Sequence, residues 1–296
     1  MSDTTAGLRR KIGGAGDLQS VVRTMKVMAA SSIGQYENSV RALADYYRTV
    51  ELGLGACFRA SGSAPLIPDR ERQTVAGAIG AVVFGSDQGL VGQFNDVVAD
   101  SAVKTLAALP GERRVWAVGE RVHARLTDAG LPVIGLFAVP TSVQAITPLV
   151  GQILVESERR RGRDEVAELH LFYNRSESAG VYAPINQRLL PLDETWRRAL
   201  AELPWPTKIL PEVMGSGSAT LRALIREYLF VSLFRACAES LASENASRLA
   251  AMQRADKNIE ELLEELNRTF HRLRQNGIDE ELFDVISGFE ALSVEE

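Results

Sequence analysis

Proline is confined to the middle of this chain. All 11 prolines of its 296 residues lie between Pro65 and Pro211, leaving 64 residues before them and 85 after them without one. Proline lacks a backbone donor and clashes with the preceding helical turn, so long stretches without it are what very long helices require. The flanks also carry the matching periodicity. From Val22 through Met25, Ala29, Ile33, Tyr36, Val40, Leu43, Tyr47, Val50 and Leu54 to Cys57, apolar or small residues recur every three or four positions. From Leu221 to Leu273 the same stepping recurs, interrupted at Arg235, Asn245 and Asp256. Two such stripes bury each other most simply as an intramolecular coiled coil, antiparallel if the intervening segment returns near its start.

The middle alternates strand-sized apolar runs with helical stretches, which points to an α/β domain. Strands are expected at Val75–Phe84, Arg114–Val118, Val133–Val139, Ala167–Asn174 and Val181–Leu190, the last at an edge. Helices are expected at Asn95–Leu109, Glu120–Ala129 and Val143–Arg160. This order favours a Rossmann-like, mostly parallel sheet. The expected organisation is an N-terminal coiled-coil helix over residues 1–60, a Rossmann-like domain over 70–203 and a C-terminal helix over 216–296 that packs with the first. Pro- and Gly-rich linkers join them, and Ser218 is a candidate N-cap.

The net charge is -5 and no run approaches the roughly 18 apolar residues of a membrane span. The start Met1-Ser2-Asp3-Thr4 does not read as a signal peptide. Cys57 and Cys237 have no metal-ligand spacing and read as buried small hydrophobes. The turn bearing Gly85, Gly89 and Gly92 follows a strand and precedes a helix, as a phosphate cradle does, but it fits neither the P-loop nor the dinucleotide fingerprint. His123, His170 and His271 fall in different elements and no serine sits in a nucleophile elbow, so no catalytic constellation is visible. The basic cluster Arg9-Arg10-Lys11 with Arg23 and Lys26 stands in an acidic chain with few aromatics beside it, which favours a solvated or protein-facing surface over nucleic acid. Glu260, Glu261, Glu264 and Glu265 read as an exposed face, with Glu264 and Arg268 paired.

Three segments resemble the gamma subunit of F-type ATP synthases, the central rotor stalk. They are Leu8-Arg9-Arg10-Lys11-Ile12 with Thr24-Met25-Lys26-Val27-Met28-Ala29-Ala30-Ser31, then Ser86-Asp87-Gln88-Gly89-Leu90-Val91-Gly92-Gln93-Phe94-Asn95, and finally Leu241 to Met252 with Arg274-Gln275-Asn276-Gly277-Ile278-Asp279 and Val285-Ile286-Ser287-Gly288. The resemblance implies a non-catalytic shaft standing inside a hexamer of alpha and beta subunits, with its α/β domain beside epsilon and the membrane ring of c subunits. It implies ATP synthesis coupled to ion transport, no cofactor, no nucleic acid, and membrane contact only through partners at the cytoplasmic face of a bacterial inner membrane. It assigns Arg274 and Gln275 to a contact with a catch loop of beta and puts Met25 at the neck of the head. The family's threonine in the catch-loop motif is Asp279 here, the lysine after A-A-S is Ser32 and the arginine of S-D-R-G is Gln88, which mark a divergent branch. Gly13, Gly14 and Gly16 are expected to kink or fray the first helix. Two other readings fit the composition: a coiled-coil scaffold with an α/β adaptor, and a nucleotide-binding Rossmann protein.

Overall fold

The computed structural model describes residues 4–61, 78–162, 166–178, 181–209, 211–212 and 217–293. The proline-free flanks are one helix each, α1 over Thr5–Ser61 and α6 over Gly217–Ser293. Between them lie β1 (Ala78–Phe84), α2 (Phe94–Ala108), β2 (Arg113–Val118), α3 (Glu120–Asp128), β3 (Val133–Phe137), α4 (Ile146–Arg161), β4 (Val166–Ser178), β5 (Val181–Leu190) and α5 (Glu194–Glu202). Residues 75–77 of the first expected strand and most of the expected linkers lie outside the described residues. Ser218 lies inside the first turn of α6 rather than capping it, because the helix already includes Gly217.

The chain divides into two compact units, Met1–Met28 with Leu249–Glu296, and Ala29–Arg248. The larger unit is built on a sheet of order β3-β2-β1-β4-β5, in which β5 alone runs antiparallel. The expected parallel sheet with one antiparallel edge is therefore observed. β1 carries the run Ala-Ile-Gly-Ala-Val-Val-Phe and is buried throughout, as a central strand covered on both faces must be. One face packs Ile79, Ala81 and Val83 against Val98, Ala102 and Leu106 of α2 and Val122 and Leu126 of α3. The other face presents Val82, Phe84, Trp116 and Leu171 to a core completed by Ile146, Val150 and Ile153 of α4, Val50 and Leu54 of α1, Leu200 of α5, and Leu229, Leu233 and Cys237 of α6.

That second face changes what the heptad spacing predicts for α6. Between Val231 and Ser243 every residue is buried except exposed Arg235 and half-buried Glu239. A helix covered on all sides has no single seam, and small residues such as Ala236, Ala238 and Ser240 let neighbouring elements approach it. Arg235 accordingly turns outward and donates to Glu239 at 2.8 Å, while Asn245 donates to the Leu241 carbonyl at 2.8 Å. Neither reaches across to α1 in these bonds. Both cysteines are buried and neither is in a disulfide, as their sequence context suggests.

In the smaller unit α1 and α6 run antiparallel. Arg9 stacks over Phe270, with its guanidinium carbon 5.7 Å from the ring centroid, and farther along α1 Val22 packs with Met252 and Ile259. Gly13, Gly14 and Gly16 do not interrupt α1, contrary to expectation: the helix is continuous and a methyl group on any of the three would meet nothing within 4 Å.

Candidate functional site

Two surfaces carry the residues singled out by sequence. The first is the turn after β1, at the point where β1 and β4 diverge from the strand order and an open α/β sheet ordinarily receives ligands. Gly85 is required there by packing: a Cβ would stand 2.3 Å from the Val122 Cβ and 2.7 Å from Asn95 Oδ1. The Ser86 amide donates to Asn95 Oδ1 at 2.9 Å, and the Asn95 amide group donates back to Ser86 Oγ at 2.9 Å. The Asp87 carboxylate accepts the Glu120 amide at 3.0 Å, at the first turn of α3, and the Val139 amide at 2.9 Å. A phosphate bound in such a crevice would need the donors that Asp87 already takes.

The same turn is fastened from two other directions. Ser247 of α6 donates its hydroxyl to the Val91 carbonyl, and Asn174 of β4 donates to the Phe94 carbonyl at 2.8 Å. Beside it a crevice of about 200 Å3 is lined by Ser32, Asp87, Gln88, Glu244 and Arg248 among others. Glu244 and Arg248 form a buried pair at 2.8 Å, and burial pushes the Glu244 carboxyl above its ordinary value. The roles of Asp87, Asn174 and Ser247 were not foreseen from sequence, since each bonds to backbone far along the chain and no motif spacing marks such partners.

The second surface is the helix pair of the smaller unit. Met25 is half-buried against Val22, Met252 and Ile259, so it serves the seam. Asp256 meets Lys26 at 2.7 Å and Arg23 at 3.2 Å. The Lys26 hydrogen bond, helped by Arg23, holds its carboxyl below the usual carboxylate range. The seam interruption at Asp256 is thus an inter-helix ionic contact. Arg274, Gln275 and Asp279 are exposed on α6, with Gln275 Nε2 3.5 Å from Asp279 Oδ1. Met25 lies at the level of Met252, and the structure does not bring it to the Arg274 cluster.

Beyond Arg274 the helix exposes Ile278 (48%), Leu282 (57%), Phe283 (67%), Val285 (70%) and Ile286 (44%). Apolar residues exposed this densely on one helix mark an interaction surface. The acidic positions 260, 261, 264 and 265 are exposed as expected, and Arg268 pairs with Glu264 at 3.2 Å. Among the described residues no group of three His, Cys, Asp or Glu side chains is placed to hold a metal ion. Among them, too, no helix is long and apolar enough to cross a membrane.

Comparison with known proteins agrees with this architecture. A family model described as ATP synthase matches residues 4–292. The chain is 27% identical over 298 residues to an ATP synthase gamma chain of Syntrophus aciditrophicus, covering 97% of each protein. It is 28% identical to the gamma chain of a Nocardioides species, covering 96% of this chain and 95% of that one. Among solved structures it is similar in fold, at 17% identity and a TM-score of 0.65, to a chain of the Euglena gracilis mitochondrial ATP synthase OSCP/F1/c-ring structure, covering 97% of this chain and 94% of that one. By the full-length family match and these relatives, the chain belongs to the ATP synthase family as a gamma chain.

Proposed function

We propose that this chain is the non-catalytic central shaft of an F-type ATP synthase, turning inside the alpha/beta head and coupling ion flow through the membrane sector to ATP synthesis or hydrolysis. The partners are the alpha and beta subunits around the helix pair, and epsilon and the c-subunit ring at the α/β domain. The chain sits peripherally at the cytoplasmic face of a bacterial inner membrane and touches it only through those partners. The observation that carries the reading is the end of α6, where five large apolar side chains from Ile278 to Ile286 are exposed next to polar Arg274, Gln275 and Asp279. Such a helix end is suited to an enclosing apolar sleeve with a polar catch below it.

A partner is driven between conformations only by a difference in binding free energy between them. Arg274 and Gln275 supply part of that difference in this reading, Asp279 restrains Gln275, and Met25 supports the helix pair at the neck. The double substitution Arg274→Ala and Gln275→Ala in the reconstituted complex is expected to lower coupled ATP synthesis while the isolated chain stays helical. Coupled synthesis equal to that of the parent would remove these residues from the mechanism.

A further inference from the structure

The crevice beside the glycine turn, inside the larger unit, is unbalanced in charge. Among the described residues that line it are two acids, Asp87 and Glu244, and one base, Arg248. Arg248 meets Glu244 from one side only: its Nη2 donates to Oε1 at 2.8 Å, while Oε2 finds no hydrogen-bond partner among the described residues. Glu244 is 5% exposed, so that oxygen has given up water and received nothing in exchange. Burial raises the proton affinity of the carboxyl in spite of Arg248, and Asp87 adds to the effect. Asp87 accepts two backbone amides, which hold it in place without neutralising it. Arg121 reaches towards Gly89 but does not line the crevice.

Two departures from the gamma-chain pattern meet at this same place. The lysine expected after Ala29-Ala30-Ser31 is Ser32, and the arginine expected after Ser86-Asp87 is Gln88; both line the crevice, one from α1 and one from the turn. Far apart in the chain, each removes a cation from beside the same two carboxylates. Gln88 and Thr141 are exposed, so the crevice is open to a partner. Two residues past Gln88, Leu90 has a φ of 62° and is 61% exposed. Leucine seldom adopts that left-handed backbone, and the turn that imposes it is fastened by Asp87, Asn174 and Ser247. An apolar side chain is thereby held out next to a carboxylate-lined cleft.

We propose that this crevice receives the cationic end of a lysine or arginine from a neighbouring subunit, on a segment that also lays an apolar side chain against Leu90. The incoming ammonium or guanidinium donates to Glu244 Oε2 and to the open side of Asp87. Turning the Glu244 carboxylate about its last bond, a soft torsion, brings Oε2 to the crevice. Hydrogen bonds between a cationic donor and a carboxylate are the stronger kind. A metal ion is a poorer occupant, since the described residues offer no group of three His, Cys, Asp or Glu side chains to hold one. The inference rests on the proposed shaft function only for the presence of a neighbouring subunit.

The test reassembles the purified full chain with the other subunits of the complex and measures the chain concentration at half-assembly. Gln88 is exposed, so its charge can be changed without disturbing the fold. Gln88→Glu is expected to tighten assembly by about threefold and Gln88→Arg to weaken it by about as much, both effects shrinking at high salt. Ser32→Lys with Gln88→Arg fills the crevice from within. It is expected to weaken assembly by on the order of tenfold or more, while the isolated chain melts about 2–4 °C higher because Glu244 gains a partner. A crevice that serves folding alone would give the higher melting temperature without the weaker assembly, and that result overturns the proposal. So does the opposite charge order at Gln88, which marks an acidic occupant, or an equal effect from both signs of charge. If the unsubstituted chain does not assemble at all, the shaft function fails and this contact falls with it; if it assembles and only the charge order fails, the shaft function stands.

Discussion

Replacing Gly85 by alanine asks whether the glycine turn is built for packing or for a ligand. The new methyl carbon would stand 2.3 Å from the Cβ and 2.5 Å from the Cγ1 of Val122, a fully buried residue of α3 in the core beneath β1. Overpacking of that severity costs about 3 kcal/mol. Pushing aside Asn95, whose Oδ1 would be 2.7 Å away and accepts the buried Ser86 amide, adds about 1 kcal/mol more. A loss of roughly 4 kcal/mol in a unit of this size lowers the melting temperature by on the order of 10 °C. Thermal unfolding followed by circular dichroism and calorimetry reads it directly. Adding Val122→Ala is not expected to rescue, because alanine keeps the Cβ that makes the closest contact. Gly89→Ala is the contrasting control: its methyl group would find only Arg121 Nη2, at 3.8 Å, so a change under about 0.5 kcal/mol is expected. A Gly85→Ala protein melting within a degree or two of the parent would refute the packing argument.

Two further outcomes concern the helix pair. Gly13→Ala, Gly14→Ala and Gly16→Ala should each favour the helix by up to about 1 kcal/mol, since the structure leaves open space for every methyl group. Amide exchange around Ala15 should slow by roughly fivefold per substitution, and unchanged exchange would contradict this. The Asp256 carboxyl is depressed by Lys26 and Arg23, so its contribution is present above the ordinary carboxylate value and is lost as pH falls through the lower folded value. An acid titration of helix content should therefore show a loss below about pH 4 that Asp256→Asn removes; identical acid profiles for the two proteins would show that the ionic contact does not matter.

The long helices and the sheet were legible because proline placement and apolar periodicity are local signals. The order of elements along the chain followed from their alternation, whereas the order of strands within the sheet is set by crossovers that no local signal marks; β1, β2 and β5 begin or end within a residue or so of expectation where described. The extension of β4 to Ser178 was not legible, since Arg175, Ser176 and Ser178 are polar and are held in the strand by pairing with Ala183, Tyr182 and Val181 of β5. The helix α5 was missed although Asp193 accepts the Thr195 amide as a cap at 3.3 Å; at nine residues, its apolar stripe of Trp196 and Leu200 is too short to stand out. Arg235 looked like a seam residue because the heptad count continues through it, whereas the sheet packs on α6 from a second direction and buries its neighbours instead. Arg274, Gln275 and Asp279 were legible only through resemblance, and the bonds of Asp87, Asn174 and Ser247 to distant backbone were not legible at all.

Directional rotation is the most direct measure of a shaft. With the alpha/beta head fixed to a surface and a probe attached to the α/β domain of this chain, adding ATP should drive the probe round in one sense, in steps matching the number of catalytic sites. A head that hydrolyses ATP at its full rate while the probe stays still, or only diffuses, would contradict the account.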